Sequence, residues 1–143
     1  MKTRAKINTD PEAYKALINL ESHILKSKLN GTHRELIKIR ASQLNSCAYC
    51  IDMHTKDARK AGETEQRIYA LNAWRETPFF TEEERAVLAL TEEVTLIQQR
   101  VSDETYDNAV ALLGEDYVTL VILAAGMINL WNRLGVATNM MPA

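Results

Sequence analysis

The two cysteines of this 143-residue chain stand as Cys47-Ala48-Tyr49-Cys50, with His54 four positions further on and Glu35 twelve positions before Cys47. A cysteine pair beside a base can cycle between dithiol and disulfide. A thiolate attacks a peroxide O–O bond, becomes a sulfenic acid, and condenses with the second thiol. On a helix, at about 100° per residue, Cys47, Cys50 and His54 fall within about 60° of one another. The sulfurs are then one turn apart, close enough for a short disulfide, and His54 lies one turn beyond Cys50. Ser46 reads as the cap of this helix. That puts the thiols where free N–H groups and the helix dipole favour a thiolate. Cys50, next to His54, is the attacking sulfur or at least the base-assisted one, and Cys47 then resolves.

A base needs a group to orient it, and Glu35 is the candidate. If the chain reverses at Asn45-Ser46, Glu35 and His54 lie about 15 Å and about 12 Å from the turn on antiparallel helices, nearly level with each other. With helix axes ~8–10 Å apart they can meet directly or through one water, giving a proton relay of Glu35, His54 and the thiols. The same residues have plainer readings. Glu35 completes a capping box with Thr32 if that residue opens its helix. Cys47, Cys50 and His54, with His23 or His33, could hold zinc, or the cysteines could be inert core residues. His23, among Leu20, Ile24 and Ser27, reads as packed, and His33 as solvated. Trp74, Trp131, Met127 and Tyr117 read as core or interface residues.

The elements that must position these residues are all helices. Five Gly and three Pro leave few breaks, and the intervening stretches are rich in good helix formers. Asp10-Pro11 opens a helix carrying Tyr14, Leu17, Ile18, Leu25 and Leu29 up to Asn30-Gly31. A second runs from Thr32 through Leu36, Ile37, Arg40, Ala41 and Leu44. The third, from Cys47 to about Ala61, stops at Gly62. A fourth spans Thr64 to Trp74. Thr81-Glu84 is a capping box for a fifth, with Val87, Leu88, Val94 and Ile97 as its stripe. Ser102 to Gly114 bounds a sixth. The last, Tyr117 to Leu134, is apolar around most of its circumference, and its apolar run is shorter than the ~20 residues a membrane span needs. The expectation is an all-α bundle of six to seven helices in one domain, residues 1–143.

With 17 Lys+Arg against 19 Asp+Glu, the net charge is −2. This supplies no basic field for nucleic acid and no polybasic stripe for lipid. Two cysteines are not the framework of a small secreted domain, and Met1-Lys2-Thr3-Arg4-Ala5-Lys6 leads into no apolar signal core, so a reducing compartment, the cytoplasm, is expected. No Gly-rich phosphate loop occurs. No cofactor is expected, and electrons must come from a thiol or another protein.

The pattern of Glu35, eleven residues, Cys47-x-x-Cys50, three residues, His54 resembles the core motif of the AhpD-like alkylhydroperoxidases of the carboxymuconolactone decarboxylase superfamily. The likeness continues through Leu36–Asn45, Asp52-Met53-His54, Ala58–Gly62 and Ile128–Arg133, spanning Arg34 to Thr138. It implies an all-α fold, assembly into homotrimers or homohexamers, and reduction of hydroperoxides by the cysteine pair. Cys50 would be the peroxide-attacking residue, Cys47 its partner, and Glu35 and His54 the relay. The best-known members resemble Cys-x-His-Cys, whereas here that position is Tyr49, a poor base near neutrality because its pKa is ~10. Two other readings share the motif or the fold: a carboxymuconolactone-decarboxylase-like lactone enzyme that does not use the cysteines, and a non-enzymatic redox-sensing oligomer.

Overall fold

The computed structural model describes residues 2, 4–6 and 8–143; Met1, Thr3 and Ile7, in the stretch read for a signal core, lie outside the described residues. Among the described residues seven α-helices follow one another: α1 Pro11–Lys26, α2 Gly31–Leu44, α3 Ala48–Lys60, α4 Glu65–Tyr69, α5 Glu82–Thr95, α6 Asp103–Leu113 and α7 Glu115–Ala137. Short 3₁₀ turns at Leu71–Glu76 and Ile97–Gln99 join some of them, and there is no strand among the described residues.

Helix α2 is the hub, because it carries apolar residues on two faces. Ile37 and Ala41 enter a cluster with Val87 and Leu90 of α5 and Val121, Ala125 and Ile128 of α7. Leu36 and Ile39 enter another with Ala58 of α3, Leu71, Trp74, Phe80 and Leu88. One helix is thus clamped from both sides. Arg40 belongs to neither cluster: its Nε donates to Glu92 Oε1 at 2.8 Å, and Trp74 Nε1 donates to the same oxygen at 2.9 Å.

Several helix ends differ from the sequence reading. Helix α1 stops at Lys26, where the Ser27 hydroxyl and amide both donate to Ile24 O, and this lets Leu29 leave the helix and insert into the core at 3% exposure. Asn30, not Thr32, caps α2, its side chain accepting the Thr32 and His33 amides. The fourth helix breaks at Ala70, and the break swings both Leu71 and Trp74 inward. Ile97 lies outside α5 and is exposed. The Thr81–Glu84 capping box is present with both hydrogen bonds.

Helix α7, at 23 residues, exceeds the expected run and is long and apolar enough to cross a membrane by length and composition. In the bundle it packs one side on α2 and α5. Its buried face also carries Asn129 and Asn132, polar groups whose burial requires partners.

Candidate active site

The connection between α2 and α3 is a single reversal. Ser46 adopts a left-handed φ of 54°. Its amide donates to Gln43 O, and the next amide, that of Cys47, donates to Ser42 O at 3.0 Å. This paired 5→2 and 6→1 pattern is a Schellman stop for α2. Ser46 is consumed by that stop and does not cap α3. Cys47 does: its Sγ accepts the Cys50 N–H at 3.4 Å. Cys47 and Cys50 are joined as a disulfide, with Cα atoms 5.3 Å apart and both residues buried.

The antiparallel pair brings Glu35 and His54 together as the sequence geometry anticipates. Glu35 Oε2 lies 3.5 Å from His54 Nδ1, and among the described residues these two buried atoms have no other partner. Since Asn30 supplies the cap, the Thr32 capping-box reading of Glu35 does not hold, and its carboxylate is left to face the imidazole. Burial pushes the Glu35 carboxyl up. Contact with His54 and the charges of Lys38 and Arg34 more than offset this, and hold it below the usual carboxylate range. Glu35 is therefore an anion at neutral pH.

A group so depressed contributes stability that is fully present above its unfolded pKa and is lost as pH falls through its folded value. The melting temperature of Glu35→Gln should accordingly lie below that of wild type at neutral pH, and the gap should close in acid. Melting curves across that range check the sign; a gap that widens toward low pH would contradict it.

Cys50 and His54 open together onto a cleft of about 350 Å³. Its walls are Tyr14 and Ile18 of α1, Tyr49 and Met53 of α3, Trp131 of α7, and Met140. Tyr49, at the motif position that departs from Cys-x-His-Cys, lies on this wall. The cleft also holds one ion pair. Lys38 Nζ donates to Glu21 Oε1 at 2.5 Å and Trp131 Nε1 to Glu21 Oε2 at 3.0 Å, so α1 is tied to α2 and α7 beside the sulfurs.

The sequence reading missed Lys38, Glu21, Gly135 and Met140; Trp131, read as core or interface, does pack against the core and is also a wall of the cleft. Lys38 follows Glu35 by three positions on the same helix face, and that spacing was a signal. Gly135, inside a helix, was another, since an interior glycine marks a close approach: a Cβ there would lie 3.1 Å from Cys47 Sγ and 3.7 Å from Cys50 Sγ. Met140 gave none, because only the turn after α7 brings it back. The histidines outside the motif also differ from expectation. His23 is exposed, while His33 is buried, its Nδ1 2.7 Å from the Tyr117 hydroxyl. Among the described residues no group of three or more His, Cys, Asp or Glu side chains is arranged to hold a metal.

An asparagine network fixes the reversal to α7. Asn45 Nδ2 donates to Asn129 Oδ1 and Asn132 Oδ1, both at 2.9 Å, and Asn132 Nδ2 donates to Ser42 Oγ at 2.9 Å. Asn129 Nδ2 in turn donates to Thr95 Oγ1 of α5 at 3.0 Å.

A profile of the "Carboxymuconolactone decarboxylase family" matches residues 11–93. The uncharacterized protein YdfG of Bacillus subtilis (strain 168) is 50% identical over 128 residues, 89% of this chain and 87% of that one. Among solved structures, a protein of unknown function from Agrobacterium tumefaciens, provisionally called an antioxidant defence protein AhpD, superposes with a TM-score of 0.96 at 38% identity over 99% of both chains. The debrominase Bmp8 superposes with a TM-score of 0.82 at 17% identity, over 95% of this chain and 72% of that one. At that identity the likeness is one of fold alone.

Proposed function

The chain belongs to the carboxymuconolactone decarboxylase family, as an AhpD-like member, and from that premise we propose that it is a thiol-dependent peroxidase that reduces organic hydroperoxides or hydrogen peroxide. The observation that carries the proposal is the Cys47–Cys50 pair at a helix N-terminus, opening with His54 onto an apolar cleft and backed by the Glu35 carboxylate.

In the proposed cycle the Cys50 thiolate attacks the distal peroxide oxygen. The O–O bond breaks, the alkoxide leaves with a proton passed by His54, and Cys50 becomes a sulfenic acid. Cys47 then attacks that sulfur, water leaves, and the disulfide forms. Glu35 orients the imidazole and balances the charge it gains. Electrons return from a thiol or from a partner protein. The site's own reacting groups are thiols, so the cycle runs without a cofactor and in a reducing compartment, which we take to be the cytoplasm. We read residues 1–143 as one such domain, acting as a homotrimer or homohexamer, with neither nucleic acid nor membrane as a partner.

The test is to incubate the reduced protein with cumene hydroperoxide or hydrogen peroxide and a dithiol. Consumption of peroxide should depend on the protein, and alkylation of both cysteines with iodoacetamide should abolish it. Undiminished turnover after alkylation would favour the lactone-enzyme reading. Absence of turnover together with an oxidation-dependent change in assembly would favour the redox sensor.

A further inference from the structure

The two cysteines line different cavities. Cys50 lines the cleft it shares with His54, whereas Cys47 lines a second, smaller cavity of about 170 Å³ bounded by Ser46, Ala48, Val136 and Met141. Met140 is a wall of both. Its position is set by the end of α7. Asn139 takes a left-handed φ of 58°, its amide donates to Val136 O, and the Met140 amide donates to Gly135 O at 2.9 Å. This is a second Schellman stop, and it folds Met140 back over the turn it leaves. The hook is also pinned from outside: Asn139 Nδ2 donates to Lys2 O at 2.9 Å and Arg4 donates to Ala137 O at 3.0 Å. A Cβ placed on Gly135 would touch both cysteine sulfurs and lie 4.0 Å from Met140 Sδ, so the thioether and the disulfide border the same bare backbone position.

We propose that Met140 is a specificity-determining gate between the peroxide side and the thiol side of the disulfide, and that the small cavity at Cys47 admits a slender low-molecular-weight thiol. The proposal deepens the peroxidase reading and rests on it for the meaning of the two sides. Cys47 is only 2% exposed, so a sulfur carried on a broad surface does not reach it, while a short unbranched thiol fits the cavity. A thiolate attacking Cys47 Sγ forms a mixed disulfide and breaks the Cys47–Cys50 bond. The electron pair leaves on Cys50 Sγ, beside His54, which supplies the proton. A second thiolate then attacks the outer sulfur of the mixed disulfide, releasing Cys47 and the oxidised small thiol. Two thiols are oxidised and one disulfide is reduced.

The test uses full-length protein oxidised beforehand with diamide, so that no peroxide enters the measurement. Its disulfide is reduced with 2-mercaptoethanol or with the bulkier glutathione, and samples are quenched by alkylation and weighed by mass spectrometry. Wild type should react with glutathione at least about tenfold more slowly than with 2-mercaptoethanol. Met140→Ala should speed the glutathione reaction at least about tenfold and the 2-mercaptoethanol reaction less than about twofold. Met140→Leu keeps the bulk and removes the sulfur, and should behave as wild type. A general loosening of the fold would not change the ratio of the two thiols in this way. The gate is overturned if wild type takes both thiols alike, if Met140→Ala leaves the ratio unchanged, or if Met140→Leu matches Met140→Ala. A failure to turn over peroxide would strike the functional proposal and leave this ratio as it is.

Discussion

Cys50→Ser is expected to lower peroxide turnover by at least about 10³-fold, and Cys47→Ser to stop turnover after a single oxidation per subunit. The two variants separate because the sulfurs have different surroundings. Cys47 is the N-cap of α3 and receives the Cys50 amide, which favours a thiolate there. On that ground alone Cys47 would be the nucleophile. Access decides otherwise, since it is Cys50 that opens with His54 onto the larger cleft, where an alkyl group finds Ile18, Met53 and Trp131. In Cys47→Ser, Cys50 should still react with one equivalent of hydroperoxide and then persist as a sulfenic acid that dimedone traps. A burst in Cys50→Ser and none in Cys47→Ser would exchange the roles.

Asn132→Leu should destabilise the protein by about 2–4 kcal/mol, seen as a fall of about 5–15 °C in melting temperature. Asn132 is fully buried, and the change leaves a lone pair of Ser42 Oγ and one N–H of Asn45 unpaired, while Ser42 still donates to Lys38 O and Asn45 to Asn129 Oδ1. Burying an unpaired polar group is the expensive part; removing both partners is much cheaper. Adding Ser42→Ala to Asn132→Leu should therefore restore part of the lost stability, although each change alone is unfavourable. A double variant no more stable than Asn132→Leu would show that the network is not what holds the α2–α3 reversal to α7.

The site was legible wherever it depended on helical spacing. Cys47, Cys50 and His54 share a short stretch of one helix, and Glu35 needed only the assumption of an antiparallel neighbour. The identity of the cap was not legible. Ser46 and Cys47 can both accept an amide, and the choice depends on which of them the preceding helix uses for its left-handed stop. Asn30 displaced Thr32 for a related reason, because Leu29 is drawn into the core and ends α1 early. The run of Leu36, Ile37, Arg40, Ala41 and Leu44 marks α2 as a helix but does not include Ile39, and by itself it does not reveal two buried faces. In the structure Ile39 faces the second cluster. The walls of the cleft were least visible, since Glu21, Trp131 and Met140 reach it from α1, α7 and the turn that follows α7. Such contacts between elements leave no periodicity in the chain.

The cap of α3 is itself a redox atom, and this couples folding to electron transfer. A thiolate accepts an amide N–H more strongly than a disulfide sulfur does, because its bond is charge-assisted. The first turn of α3 therefore binds the reduced form of Cys47 better than the oxidised form. By linkage, every interaction that keeps that turn wound also draws electrons toward the pair. The asparagines on α7 and the left-handed Ser46, far from the sulfur chemistry in role, thus help to set how readily the protein gives up its disulfide.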